Sequence, residues 1–152
     1  MKIEKLKIEV TEKDLQTLMD HKIPEIENLS DLKLLLKENQ IVVSCRYSVP
    51  IMGNISVTVN IVPEVKDSNS IAMHLNVTGA AGMVTGVLMK LIDSKINDLD
   101  FISREKNSLF FRADNLLKHY GIEGKGSIES ICIKDHLVFL ELSGECSLDQ
   151  LF

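Results

Sequence analysis

Apolar and polar residues alternate along much of this chain. Leu6, Ile8 and Val10 are separated by charged residues, the period of two expected of a half-buried strand. A short strand is predicted over Leu32 to Lys37. Ile41, Val43, Cys45, Tyr47 and Val49 then alternate with Val42, Ser44, Arg46 and Ser48. Ile55, Val57, Val59 and Ile61 alternate with Ser56, Thr58 and Asn60. Ile71, Met73, Leu75 and Val77 are opposed by Ala72, His74, Asn76 and Thr78. Three successive strands thus present one apolar face and one mostly polar face, the pattern of an antiparallel sheet covered on one side. Polar turns at Glu38-Asn39-Gln40 and Lys66 to Ser70, and a bend over Pro50 to Asn54, divide them.

Helical spacing appears in three places. Thr11-Glu-Lys-Asp resembles a capping box with Asp14 at the third helical position, and Leu15, Leu18 and Met19 follow. Pro24 stops that helix near Ile23, because proline disfavours helical geometry in its predecessor. The segment GAAGMVTGVLMKLIDSKINDL begins at Gly79 and predicts a long helix over residues 80–99. Met83, Val84, Val87, Leu88, Leu91, Ile92, Ile96 and Leu99 sweep an apolar arc of about 220° at 100° per residue, against a stripe of about 100° on an ordinary surface helix. Such a helix contacts apolar matter on more than one side. Strands over Phe101 to Arg104 and Leu109 to Phe111 follow, then a short helix over Asp114 to Tyr120 capped by Gly121. Ser127 to Ile133 and Leu137 to Leu142 form a final hairpin about Lys134-Asp135-His136.

The pattern predicts one α+β domain over residues 1–152, in which an antiparallel meander covers the apolar helix. The wide arc has two explanations, a core helix buried on both sides or a helix lining a crevice for an apolar ligand. On the second, the ligand-binding residues are Met73, Leu75, Met83, Val84, Val87, Leu88 and Leu91. Met52, Met73, Met83 and Met89 are compatible with an adaptable lining. Gly82 and Gly86 form a GxxxG pair that suits close packing of the helix, with a partner interface or a ligand as the alternative.

Composition narrows the function classes. The 152 residues are 45% hydrophobic and 26% charged, within the globular range. A net charge of −5 and a pI of 5.4 argue against a nucleic-acid binder. Lys2, Lys5 and Lys7, diluted by Glu4 and Glu9, read as the solvent face of an edge strand. No segment reaches the roughly 18 apolar residues of a membrane span, and the charged start has no signal-peptide core, which predicts a cytoplasmic protein, with an envelope location as the alternative if a leader has been removed. Cys45, Cys132 and Cys146 suit neither a disulfide framework nor a zinc site, and no metal or cofactor is expected. His21, His74, His119 and His136 fall on four different predicted elements. Alternation places His74 on the polar face, exposed or hydrogen-bonded. There is no nucleophile elbow, and the glycines of residues 121–126 run from helix to strand, the wrong order for a phosphate loop. No enzymatic activity is expected.

The order of elements, the start Thr11-Glu-Lys-Asp-Leu, and above all LFFRADNLLKHYGIEGKGSIESICIKDHLVFLELSG over residues 109–144 resemble the bacterial LmeA-like phospholipid-binding family, related to the tubular lipid-binding superfamily. This chain has Asp135-His136 where the family's hairpin turn commonly has Asp-Gly, and lacks its secretion signal. The resemblance implies a strongly curved sheet wrapped around the long helix, with lipid held between them. The function expected is non-catalytic binding of a lipid or other apolar small molecule. The alternative is a structural or protein-interaction domain with a filled core. Peripheral membrane contact and homo-oligomerisation are both compatible with the first reading.

Overall fold

A computed structural model describes residues 2–22, 28–79, 82–119 and 124–146. The elements run β1 (Lys2–Thr11), α1 (Glu12–Lys22), β2 (Leu29–Lys37), β3 (Gln40–Val49), β4 (Gly53–Asp67), β5 (Ser70–Thr78), α2 (Gly82–Ile96), β6 (Ile102–Glu105), β7 (Ser108–Arg112), α3 (Ala113–His119), β8 (Gly124–Lys134) and β9 (Leu137–Cys146). The helix stop at Pro24 and the cap at Gly121 lie outside the described residues.

The strands form two antiparallel sheets rather than one meander. One is six-stranded in the order β2-β3-β4-β5-β7-β6, and the other three-stranded in the order β1-β9-β8. The expected architecture, a single curved sheet wrapped around a long apolar helix, is therefore incorrect. The apolar helix is also shorter than residues 80–99, since α2 spans the fifteen residues Gly82–Ile96. It lies over one face of the larger sheet, where Leu88 packs on Cys45 and Val57. Of its described side chains only Met89 is buried; Val87, Leu88, Leu91, Ile92 and Ile96 are half-buried, so the apolar arc is not enclosed.

The partition into two sheets follows from how one strand edge is closed. Thr11 and Asp14 form the reciprocal capping box that starts α1: the Asp14 amide donates to Thr11 Oγ1 at 3.0 Å, and the Thr11 amide to Asp14 Oδ2 at 3.1 Å. This fixes α1 beside β2, where Glu12 and Gln16, one helical turn apart, reach the strand's outer backbone. Gln16 Nε2 donates to the Leu32 carbonyl at 3.2 Å, while its Oε1 accepts from the Leu34 amide at 2.8 Å. The carboxamide thus acts as one peptide unit of an absent strand. Glu12 Oε2 accepts from the Leu36 amide at 3.0 Å. With that edge occupied, β1 cannot extend the sheet at β2 and pairs with β9 instead.

Hairpin tips close a second edge. The Asn39 amide in the β2–β3 turn donates to the Ile133 carbonyl at 2.9 Å, and the Ile128 amide to Ser68 in the β4–β5 turn at 2.7 Å. Strand β8 therefore crosses the lower end of the larger sheet. Leu36, Ile133 and Val138 form the core there, with Val10, Leu15, Leu34, Ile41 and Ile131 around them. The β8–β9 turn has Asp135 and His136 both at positive φ (53° and 61°), the geometry that usually recruits glycine at the second position. His136 Nδ1 lies 3.3 Å from Glu12 Oε2, so this residue links the turn to α1 in a way glycine could not.

Replacing Gln16 with Ala leaves the Leu34 amide and Leu32 carbonyl without their partner. Chemical denaturation should show a loss of about 1–2 kcal/mol, with faster aggregation as the β2 edge opens. An unchanged midpoint would show that water satisfies this edge equally well.

Candidate functional site

The register places a continuous apolar surface on the inner face of the larger sheet. Its rows run Leu34–Val43–Val59–Val77, then Leu36–Ile41–Ile61–Leu75, then Pro63–Met73–Leu109–Arg104. The smaller sheet presents an equally apolar face, in rows Leu6–Leu142–Ile128, Ile8–Leu140–Ile131 and Val10–Val138–Ile133. Both follow directly from alternation, because antiparallel partners share a face.

Among the described residues, these faces are only partly covered. The core at Leu36 closes one end, and α2 over Cys45 and Val57 closes another region. Val43, Ile61 and Met73 belong to neither cluster and are half-buried, as are Ile8, Leu140 and Leu142 on the smaller sheet. Burial pushes the Cys45 thiol pKa up, as expected of a thiol on an apolar face.

The candidate ligand residues divide accordingly. Met73 and Leu75 share the inner face of β5, Met73 half-buried and Leu75 only 7% exposed. Val87, Leu88 and Leu91 lie on α2 and are half-buried, with Leu88 reaching the sheet. Met83 and Val84 belong to the first turn of α2, and their side chains lie outside the described residues. Met89 is buried, whereas Met52 stands exposed in the β3–β4 turn and cannot line this interior. The packing expected of the glycine pair also fails at Gly86, where an added Cβ would meet nothing within 4 Å.

One ionic contact holds α2 to the far side of the sheet. Arg104, which ends the Met73 row, donates from Nε to Asp93 Oδ1 at 2.5 Å and from Nη2 to Asp93 Oδ2 at 2.6 Å. Its Nη1 donates to the Lys106 carbonyl at 2.6 Å. This paired fork is stronger than a single-point contact. The Arg104 hydrogen bonds hold the Asp93 carboxyl below the ordinary carboxylate range. Asp93 lies outside the apolar arc of the helix, and helical spacing alone does not identify its partner. The signal was Arg104 itself, a cation two residues from Ile102 and therefore on the same, otherwise apolar, face of the strand.

The outer face carries a second polar set. His74 Nε2 lies 2.7 Å from Glu64 Oε2, and its Nδ1 lies 2.9 Å from Ser108 Oγ. Both ring nitrogens thus have a hydrogen-bond partner. This is the hydrogen-bonded His74 expected from alternation. All three groups sit on the open side of the sheet, on β4, β5 and β7. They link strands there and do not face the apolar interior. Among the described residues, no group of three or more His, Cys, Asp or Glu could hold a metal ion, and no helix is long and apolar enough to cross a membrane.

Comparison with family models, curated proteins and solved structures yields no match. The likeness to the LmeA-like family therefore rests on the residues quoted above.

Two outcomes follow from this geometry. Gly86→Ala should stabilise the protein by about 0.5–1 kcal/mol in thermal unfolding, because an open helical position gains alanine's lower backbone entropy cost; a loss would mean that something packs there. Asp93 has a lowered folded pKa, so its contribution is present above the ordinary carboxylate pKa of about 4 and is lost as pH falls through the folded value. Asp93→Asn should therefore be less stable than wild type at neutral pH, with the difference closing in acid. A difference independent of pH would assign the effect to packing.

Proposed function

We propose that this protein binds an apolar small molecule of the lipid class without chemically converting it. The site is the strip of Val43, Ile61 and Met73 on the inner face of the larger sheet, between the part met by the smaller sheet and the part covered by α2. One observation carries the reading: the smaller sheet meets the larger one around Leu36 and α2 meets it at Cys45 and Val57, and among the described side chains Val43, Ile61 and Met73 of that face stay half-buried outside both clusters. Well-packed interiors leave few such surfaces. Covering them with hydrocarbon supplies about 25 cal/mol for each Å² removed from water. The Arg104–Asp93 pair keeps α2 seated at one side, and the only cation in the Met73 row already has an anion. Recognition thus rests on apolar area and shape.

Native mass spectrometry of the purified protein, with solvent extraction and lipid analysis of the same sample, tests this. A one-to-one adduct of an apolar molecule is expected, and a medium-chain monoacylglycerol should bind the delipidated protein. Ile61→Phe and Met73→Trp fill the strip and should each weaken that binding about tenfold, the cost of forcing bulk against a ligand, with cooperative unfolding retained. Protein that carries no adduct and takes up no monoacylglycerol would sink the reading.

A further inference from the structure

The β3–β4 hairpin ends in a tip that nothing in the interior explains. Leu29 pairs with Tyr47, and Thr78 with Thr58, so the turn between Ser48 and Asn54 extends past the ends of both neighbouring strands. At its end Ile51 is fully exposed (107% of its reference surface) and Met52 is 62% exposed. They are the two most exposed of the large hydrophobic side chains described, and they are adjacent. Ile51 also has φ of 77°, a left-handed conformation that β-branched residues rarely adopt. A residue both strained and fully wetted gains nothing for the fold, and such outliers collect at functional positions.

The surroundings indicate what the tip meets. From Tyr47 to Pro63 the chain contains no Asp, Glu, Lys, Arg or His, although 26% of all residues are charged. The tip itself is Val-Pro-Ile-Met-Gly, bounded by Ser48 and Asn54. An uncharged projection can enter a lipid headgroup layer without desolvating an ion. A protein partner would need on the order of 800 Å² from each side, far more than two side chains at a turn provide. Tyr47, just behind the tip, is half-buried and packs against the Cys45 and Val57 cluster, so the base of the projection is anchored while its end is free.

We propose that Ile51 and Met52 form a membrane-contact tip that inserts into the surface of a lipid bilayer and holds the protein there weakly and reversibly. The contact is hydrophobic, so it does not depend on anionic lipid, which the net charge of −5 would repel. This inference stands apart from the interior binding site, and either can fail without the other.

Flotation with phosphatidylcholine vesicles tests it, alongside vesicles containing phosphatidylglycerol. Half-partition is expected on the order of millimolar lipid, below the affinity a single acyl chain confers. Binding should persist in high salt and be no stronger on the anionic vesicles. Ile51→Gly is the decisive variant: glycine accepts the left-handed conformation, so thermal stability should rise while partition falls about tenfold. Met52→Ser should lower partition similarly with no change in stability. Wild-type protein that does not float, or Ile51→Gly and Met52→Ser that float like wild type, would overturn the proposal. Wild-type protein that ignores vesicles and instead gives a tip-dependent crosslink to another protein would also overturn it.

Discussion

A strand at the end of a sheet exposes backbone donors and acceptors that must find partners. In this protein the most consequential solution is the contact of Gln16 and Glu12 with the outer edge of β2. It stops the larger sheet at β2 and leaves β1 to join β9 and β8 in a sheet of its own. The hairpin tips at Asn39 and Ser68 then occupy the β8 edge and tie the two sheets together. The division into sheets, the position of α1 and the crossing of β8 under the hairpins all follow from which backbone edges are closed and by what.

That arrangement determines how much of the apolar surface is covered. The smaller sheet reaches the larger one at Leu36 and Ile41, and α2 covers Cys45 and Val57. Among the described residues, neither encloses Val43, Ile61 and Met73. A helix wrapped by sheet would have buried the whole arc of α2, whereas most of its described apolar residues are half-buried. The proposed interior site is thus a consequence of two separate covers that meet the same sheet face in different places. Arg104 and Asp93 fix the second cover without adding an unpaired charge to the interior.

Much of the local structure was legible in the sequence. Period-two alternation located the strands on either side of the β3–β4 bend, and the Thr11–Asp14 spacing located the start of α1. Alternation also placed Met73 and Leu75 on one face and His74 on the other. Strand partnership was not legible, because alternation specifies a face and says nothing about which strand lies alongside. Gln16 carries no sequence signal of its role, which depends on a strand sixteen residues away. Met52 read as a candidate lining residue because composition carries no information about which end of a hairpin projects. Gly86 read as a packing position because GxxxG spacing identifies a helix face without identifying its neighbour. The left-handed conformation of Ile51 contradicts local propensity and could only be seen in the fold.

The proposed binding site lies between the two covers, and calorimetry addresses it most directly. Delipidated protein would be titrated with a medium-chain monoacylglycerol, below its micelle concentration, at several temperatures. Saturable one-to-one binding with a negative heat-capacity change is expected, since that change is the robust mark of apolar surface leaving water. The absence of saturable binding, or binding with no heat-capacity change, would contradict an apolar interior open to ligand.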